Sequence, residues 1–465
     1  MTELFRLPAT ALADAYRSGT VSPVDVLQSC LGRLDTVNPV LNAVIAQDRA
    51  AALAAAQASE RRWRSGASLG SLDGVPFTVK DNIVTAGLPT TWGCPLYRDF
   101  RGAVNELPVE RMLLAGAVLL GKTNVPELTS QGYTDNTLFG PTGNPWNPAL
   151  TPGGSSGGGV AAVASGVGPV ALGTDGGGSI RRPASHAGVV GLKPTPGRIP
   201  RCDGLPQILL DFEVIGPIAR TVADVIAMTE TLSEPDARDP ASLRLPRFTL
   251  PAAAPKRILY VPRFADHPVD PEIAASVAAA AATLADLGHS VTEGLAPFDV
   301  TAVNAIQGMV SQSGMAWLMQ THGGATPGMP ALQAMADSGA ALPAHALFGA
   351  LDATLRFRAA MSVFFETTDM ILTPAAAALP WPKSESHPLT IDGQEVGPRG
   401  HAVFTAFANI AGLPGLALPT GFSRSGLPIG LQLVGAPGTD AALLAVGLAY
   451  EQARPWADRW PADPV

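Results

Sequence analysis

The sequence predicts an α/β protein: a large mixed, mostly buried twisted sheet covered by helices on both faces. Short apolar runs such as Ala117-VLL, Arg257-ILYVP and Met370-ILTP alternate with longer amphipathic or Ala-rich stretches along the whole chain. The runs are apolar at successive rather than alternate positions, the pattern of strands covered on both sides. Of 465 residues, 46% are hydrophobic and only 15% charged, against ~25% charged in an average soluble protein, so a broad core can be built.

The elements follow in order. Ser22-Pro23 ahead of VDVLQSCLGRLD reads as an N-cap, a proline at the first helical position and an amphipathic helix. Residues 46–64 are Ala-rich and end in charges, a helix by propensity. Gly74-VPFTVKDNIVTAG is a strand running into a loop, residues 110–115 close a helix, and Ala117-VLL is a buried strand. Between 140 and 200 glycine and proline dominate; one helix (about 158–165) and one strand (about 170–172) fit among them. Arg220-TVADVIAMTETL is a helix, and the Pro-rich stretch 234–255 joins it to a second segment. There, Arg257-ILYVP and His289-SVTEG are strands around a helix at 271–287, and residues 300–368 are mostly helical and rich in methionine. Met370-ILTP, Pro414-GLALPTGF and Pro428-IGLQLVG are strands, and a helix over 439–453 closes the chain. Without repeats or a flexible linker, the expected organisation is one α/β body over 1–465. Its parts are a helical portion (1–65), a core with the glycine-rich loops (66–230), a variable, mostly helical substrate-side region (231–400) and terminal strands and helix (401–465).

Composition excludes several classes. A net charge of −8 argues against nucleic acid, which needs clustered Lys and Arg. Three cysteines, Cys30, Cys94 and Cys202, are odd in number and far apart, unlike a disulfide framework or a metal site. The seven histidines show no metal spacing either. The N-terminus lacks the pattern of a secretory signal, and the most apolar stretch, 160–172, is broken by Ser165, Gly166, Gly168 and Pro169. The expectation is a cytoplasmic protein, monomer or homodimer, that uses no metal, cofactor, membrane or nucleic acid.

Chemistry concentrates in TPGGSSGGGV (151–160) and GTDGGGSIRRPA (173–184), two glycine-rich loops around one helix and one strand. Three readings compete. Gly116-AVLL-Gly121-Lys122-Thr123 matches the phosphate-loop pattern, but its four intervening residues are an apolar strand ending at Gly121 rather than a flexible turn. Gly153-Gly154-Ser155-Ser156-Gly157 matches a nucleophile elbow, with His387 or His401 as base. Yet Pro145, Pro148 and Pro152 precede it, where an elbow needs a central strand. The third reading joins Ser155, Ser179 and Lys80. Lys80 ends an apolar strand, where poor solvation lowers its pKa and a neutral amine can act as base.

The blocks Gly74-VPFTVKDN, Gly116-AVLLGKTNVPE, Phe139-GPTGNPWNP, Pro152-GGSSGG, Gly173-TDGGGSIRRPA and Gly188-VVGLKPTPGR occur in this order, and together they resemble the amidase signature family. Weaker similarity continues through Asp211-FEVIGPIARTVAD, Ala408-NIAGLPGLALPTGF and Leu427-PIGLQLVG. The resemblance implies Ser179 as nucleophile, Ser155 as a bridging serine on a cis peptide, and Lys80 as the base behind it. It implies an oxyanion hole from the backbone N–H groups of Gly176, Gly177, Gly178 and Ser179, and Gln131 as a substrate contact. Asp175 and Arg181 are expected to shape the loop as a charge pair, Ser156 to hold Ser155 and Lys80, and Thr174 to fasten the loop. Lys122 and Lys193 read as strand-end or surface lysines without chemistry, and His186 as packing.

Two residues depart from the family pattern, which usually has an apolar or uncharged residue at Arg182 and often threonine at Gly176. A second arginine puts positive charge near the site or a salt bridge behind it, and Gly176 makes the loop roomier. Residues 306–348, with Met309, Met315, Trp317, Met319 and Met329, are either core filling or an adaptable apolar pocket wall. The implied reaction is water-driven hydrolysis of a small aryl or alkyl amide, an anilide, a carbamate (urethane) or an ester. The alternative is a component of a multi-protein complex, as in glutamyl-tRNA amidotransferase.

Overall fold

The computed structural model describes residues 3–322 and 329–463. Its strands are β1 (Val44–Ala46), β2 (Pro76–Lys80), β3 (Val118–Thr123), β4 (Val170–Asp175), β5 (Val190–Lys193), β6 (Val214–Ala219), β7 (Arg257–Tyr260), β8 (Ser290–Glu293), β9 (Met370–Pro374), β10 (Thr390–Ile391), β11 (Gln394–Glu395), β12 (Gly415–Phe422) and β13 (Pro428–Gly435). Strands β10 and β11 form a small separate hairpin; the other strands make one 11-stranded sheet in the order β1-β3-β2-β4-β6-β5-β12-β13-β9-β7-β8. The sheet is mixed. Parallel trios β3-β2-β4 and β9-β7-β8 flank an antiparallel centre.

Burial follows the apolar runs. Every residue of β4, β6 and β13 is buried, as expected of strands covered on both faces. Edge strand β8 carries the mostly exposed polar sequence SVTE, which discourages pairing with another chain. The largest core cluster draws on residues from Ala9 to Trp456. In helix Pro23–Leu41 the Ser22 side chain accepts from the Asp25 N–H while Asp25 caps in return, and Val26, Leu27, Cys30, Leu34, Val37 and Leu41 form its buried stripe. The next helix begins at Arg49, later than expected, because Val44–Ala46 pairs with β3 and Asp48 supplies the cap. The region 300–368 forms helices Val300–His322, Pro330–Ala340 and Ala344–Phe364, while its residues 323–328 lie outside the described residues.

Among the elements that were not expected are β5, β6 and the short helix Arg181–Ala187. Strand β6 is interior to the sheet although it contains Gly216 and Pro217. A Cβ on Gly216 would lie 2.0 Å from the Leu192 carbonyl oxygen, so close strand packing demands the glycine. No helix of the described residues is long and apolar enough to cross a membrane.

The topology prepares one place for chemistry. Strands β2 and β4 are parallel neighbours, so their C-terminal ends lie side by side, bringing Lys80 to Thr174 and Asp175. Helix Gly157–Ser165 leads from the first glycine loop back toward β4, which feeds the second.

Candidate active site

Lys80, the last residue of β2, is fully buried. Its Nζ lies 2.8 Å from Ser155 Oγ, 2.8 Å from Thr174 Oγ1 and 3.1 Å from the Thr174 carbonyl oxygen. Asn82 Nδ2 donates to the same threonine hydroxyl at 3.1 Å. Burial pushes the lysine down to about 7, against the opposing pull of Glu213 and Asp175. The amine is thus held against two hydroxyls in a dry setting and is readily neutral.

Ser155 follows a cis Gly154–Ser155 bond and precedes helix Gly157–Ser165. Gly158 in that helix packs so tightly that a Cβ would meet Asn124 N at 2.4 Å and Ala43 O at 2.7 Å. The two loops are tied by the Ser156 N–H, which donates to Ser179 O at 3.1 Å, and by Ser156 Oγ, which donates to Thr174 O at 3.3 Å. Ser179 is nearly buried yet lines a cavity. No hydrogen bond joins the Ser155 and Ser179 hydroxyls directly.

Asp175 is the hub of the second loop. It accepts from the N–H groups of Gly178 at 2.7 Å and Ile180 at 3.1 Å. Arg181 grips it through Nε at 2.9 Å and Nη2 at 2.8 Å. Burial alone would raise the Asp175 pKa, but the Arg181 guanidinium and Asn409 hold it well below the usual carboxylate range. The expectation for Gly178 therefore needs correction: its N–H is already spent on Asp175 and does not face the cavity as a free donor. Among the described residues no protein acceptor meets the N–H groups of Gly176, Gly177 or Ser179. Gly178 has φ of 117°, and a Cβ there would lie 2.2 Å from Thr405 Oγ1, so only glycine fits. Gly176 does not leave extra room, since Leu209 Cδ1 occupies the place of its Cβ at 2.4 Å.

The cavity beside Ser179 is narrow, with a volume of about 40 Å³. Gln131, Gly176, Gly177, Arg182, Gln307 and Arg399 give it polar groups; Leu128, Ile208, Leu209, Met315 and Met335 give it apolar walls. A second, larger cavity of about 600 Å³ adjoins it and shares Gly177, Gln307 and Arg399. Of the methionines singled out, Met315 lines the first cavity, whereas Met319 and Met329 fill an adjoining core and Trp317 is largely exposed.

Other readings resolve on geometry. The phosphate-loop look-alike is β3 itself, running to Thr123 rather than stopping at Gly121. Lys122 and Lys193 are not surface lysines; both are fully buried. Lys122 donates to the Ile83 carbonyl and to Thr90 Oγ1 at 3.0 Å, while Lys193 donates to Pro194 O at 2.9 Å. Burial lowers them to about 8 and about 7. No strand among the described residues runs directly into Ser155, as an elbow would need. His387 bonds Ser386 at 2.8 Å, and neither ring nitrogen of His401 finds a partner among the described residues. His186 is buried with Nε2 on Ala378 O at 3.0 Å, and burial pushes it down to about 4, a neutral packing residue. Among the described residues no three His, Cys, Asp or Glu side chains gather as a metal site.

Sequence reasoning missed Asn409, Gln432, Thr405, Gln307 and Arg399. Asn409 Nδ2 donates to Asp175 O at 2.8 Å, and Gln432 Oε1 accepts from Arg181 at 2.6 Å. All come from the distant C-terminal half, and no local pattern signals that they return to this loop.

Comparison with known proteins points to one family. The sequence pattern of the family described as Amidase matches residues 25–444. An acylamidase of Rhodococcus erythropolis is 34% identical, the match covering 100% of this chain and 99% of that protein. A glutamyl-tRNA(Gln) amidotransferase subunit of Chloroflexus aurantiacus is 35% identical, covering 99% of each. The crystal structure of a bacterial aryl acylamidase of the amidase signature enzymes superposes with a TM-score of 0.88 at 31% identity, covering 97% of each chain.

Proposed function

The chain belongs to the amidase family, and on that basis we propose that it hydrolyses amide C–N bonds through an acyl-enzyme on Ser179, with Ser155 and Lys80 as proton relay. The observation that carries this reading is a fully buried Lys80 with Nζ 2.8 Å from Ser155 Oγ, on a loop tied by a hydrogen bond to the cavity-lining Ser179. A serine hydroxyl attacks a carbonyl only when a base takes its proton. Neutral Lys80 takes the Ser155 proton while Ser155 takes that of Ser179; the second link closes as substrate seats, since catalytic hydrogen bonds tighten in the substrate complex.

Attack converts the carbonyl oxygen into an oxyanion. The N–H groups of Gly176, Gly177 and Ser179 are the donors proposed to meet it, because they have no acceptor of their own among the described residues. Asp175, braced by Arg181 and Asn409, keeps the loop in shape. Collapse of the intermediate expels the amine, which takes the relayed proton from Ser155. Water then attacks the acyl-enzyme with the relay reversed, releasing the acid. Gln131, which lines the same cavity, is proposed to contact the substrate.

The apolar walls favour a small amide or anilide with an aryl or alkyl body, and the same oxyanion chemistry extends to carbamates and esters. Three thiols that form no disulfide fit a cytoplasmic location. The similarity to the amidotransferase component supports a second reading, in which the same residues release ammonia from an amide for a partner.

Ser179→Ala is expected to abolish anilide turnover with an unchanged thermal transition. Mass spectrometry of the wild type with a slow ester substrate should find the acyl group on the peptide containing Ser179. Substantial turnover in the variant, or acyl label on another residue, would reject the assignment.

A further inference from the structure

Arg181 and Arg182 are adjacent and both buried, yet their surroundings differ. Arg181 employs all of its donors: Nε and Nη2 on Asp175, Nη2 also on Asn409 Oδ1 at 2.6 Å, and Nη1 on Thr405 O at 3.0 Å and Gln432 Oε1 at 2.6 Å. Arg182 uses Nη1 alone, donating to Gly177 O at 2.7 Å and Thr405 Oγ1 at 3.2 Å. Its Nε is buried without an acceptor. No hydrogen bond engages Nη2, and no carboxylate pairs with Arg182 among the described residues. Arg182 is only 2% exposed and borders the Ser179 cavity.

A buried guanidinium without a counter-charge is costly and calls for an anion. The acids nearby are committed. Asp175 belongs to Arg181, and Glu213, which also lines the cavity, is 2.7 Å from Arg201, which holds Glu106 as well. A second cation, Arg399, lines the same cavity, forms no ion pair among the described residues and continues into the adjoining cavity. Two arginines outweigh the single excess negative charge of the Arg201 group. The Nη2 group of Arg182, which has no acceptor among the described residues, is the donor it can offer to a carboxylate oxygen in a charge-assisted hydrogen bond.

We propose that Arg182 and Arg399 form an anion subsite beside Ser179, and that the preferred substrates are amides with an apolar body that also carry a carboxylate. This rests on the amide-hydrolase reading above and narrows its substrate class.

The test compares matched substrates with the carboxylate on either side of the scissile bond. On the acyl side, the monoanilides of malonic, succinic and glutaric acids are each set against the anilide with methyl in place of the carboxylate. On the amine side, N-benzoylglycine is set against N-ethylbenzamide. In one series kcat/KM is expected to favour the acid at least tenfold. Arg182→Gln and Arg399→Gln should each cut that preference at least tenfold, mainly through KM of the acid. Equal turnover of acid and neutral partner in every series overturns the proposal. So does an equal loss on both partners in Arg182→Gln, which would make that arginine a brace for the Gly177 carbonyl only.

A readout without chemistry separates this proposal from the nucleophile assignment. Calorimetry of Ser179→Ala with the best acid should show binding that Arg399→Gln, at an exposed position, weakens at least tenfold; unchanged binding refutes the subsite even if Arg182→Gln does not fold. Residual turnover in Ser179→Ala would count against the nucleophile and leave the subsite result standing.

Discussion

An ammonium group is costly to bury, and this protein buries three: Lys80, Lys122 and Lys193. Burial lowers them to about 7, 8 and 7, so a depressed pKa does not by itself identify the base. Neighbours do. Lys122 faces the Ile83 carbonyl, two threonine hydroxyls and, at 3.9 Å, Asp81; Lys193 faces a carbonyl. Only Lys80 among them touches a serine of the glycine loops. In the proposed relay the neutral form is the base, so activity should rise with pH through about 7 and fall about tenfold per unit on the acid side. Lys80→Ala should lower kcat by several decades and erase that acid limb. Measuring kcat/KM from pH 5 to 9 checks it, and an unchanged limb in the variant would remove Lys80 from the relay. The position of Lys80 at the end of an apolar strand was legible in the sequence. That Lys122 and Lys193 are also buried was not, because a strand-end lysine reads alike whether the next layer covers it or not.

At the scale of the element, glycine sets how closely the glycine-rich loops approach the sheet. Helix Gly157–Ser165 carries Ser155 just before its first turn, and Gly158 lies against the backbone of Asn124 and Ala43. Gly158→Ala would improve helix propensity by ~1 kcal/mol on an exposed surface. Here its Cβ meets three backbone atoms that cannot yield, and overpacking of this kind costs ~1–3 kcal/mol. The variant is expected to be less stable in urea and slower, since relief of the clash moves Ser155. A midpoint equal to or above that of the wild type would show that the helix can shift freely. The helix itself and strand β4 were legible because apolar runs interrupt the glycines. Strands β5 and β6 and helix Arg181–Ala187 were hidden. Gly216 and Pro217 argue locally against a strand, and Pro183 and the glycines before Ser179 argue against a helix. What overrides them is packing: β6 pairs with both β4 and β5, and Arg181 is drawn inward by Asp175.

Across the whole molecule the site is assembled from both ends of the chain. Lys80 and Ser155 come from the parallel strands and loops of the first half; Asn409 and Gln432 reach the same loop from the second. One wall of the cavity comes from this chain's own helices, with Gln307, Ser311 and Met315 from Val300–His322 and Met335 from Pro330–Ala340. The amidotransferase relatives match over the same length, so extent of similarity does not separate a free-standing hydrolase from a member of a complex. The lining of the proposed site bears on it, since the free-standing reading expects every wall of the cavity to come from this chain. The purified chain is therefore expected to hydrolyse an anilide at its full rate without ATP, added proteins or metal, in buffer containing a chelator, and to release free acid and amine in equal amounts. The measurement is product stoichiometry with and without ATP and the companion proteins of a related amidotransferase. Turnover that appears only with both additions would assign the chain to a complex, and a rate lost to the chelator and restored by zinc would replace the lysine relay with a metal-bound nucleophile.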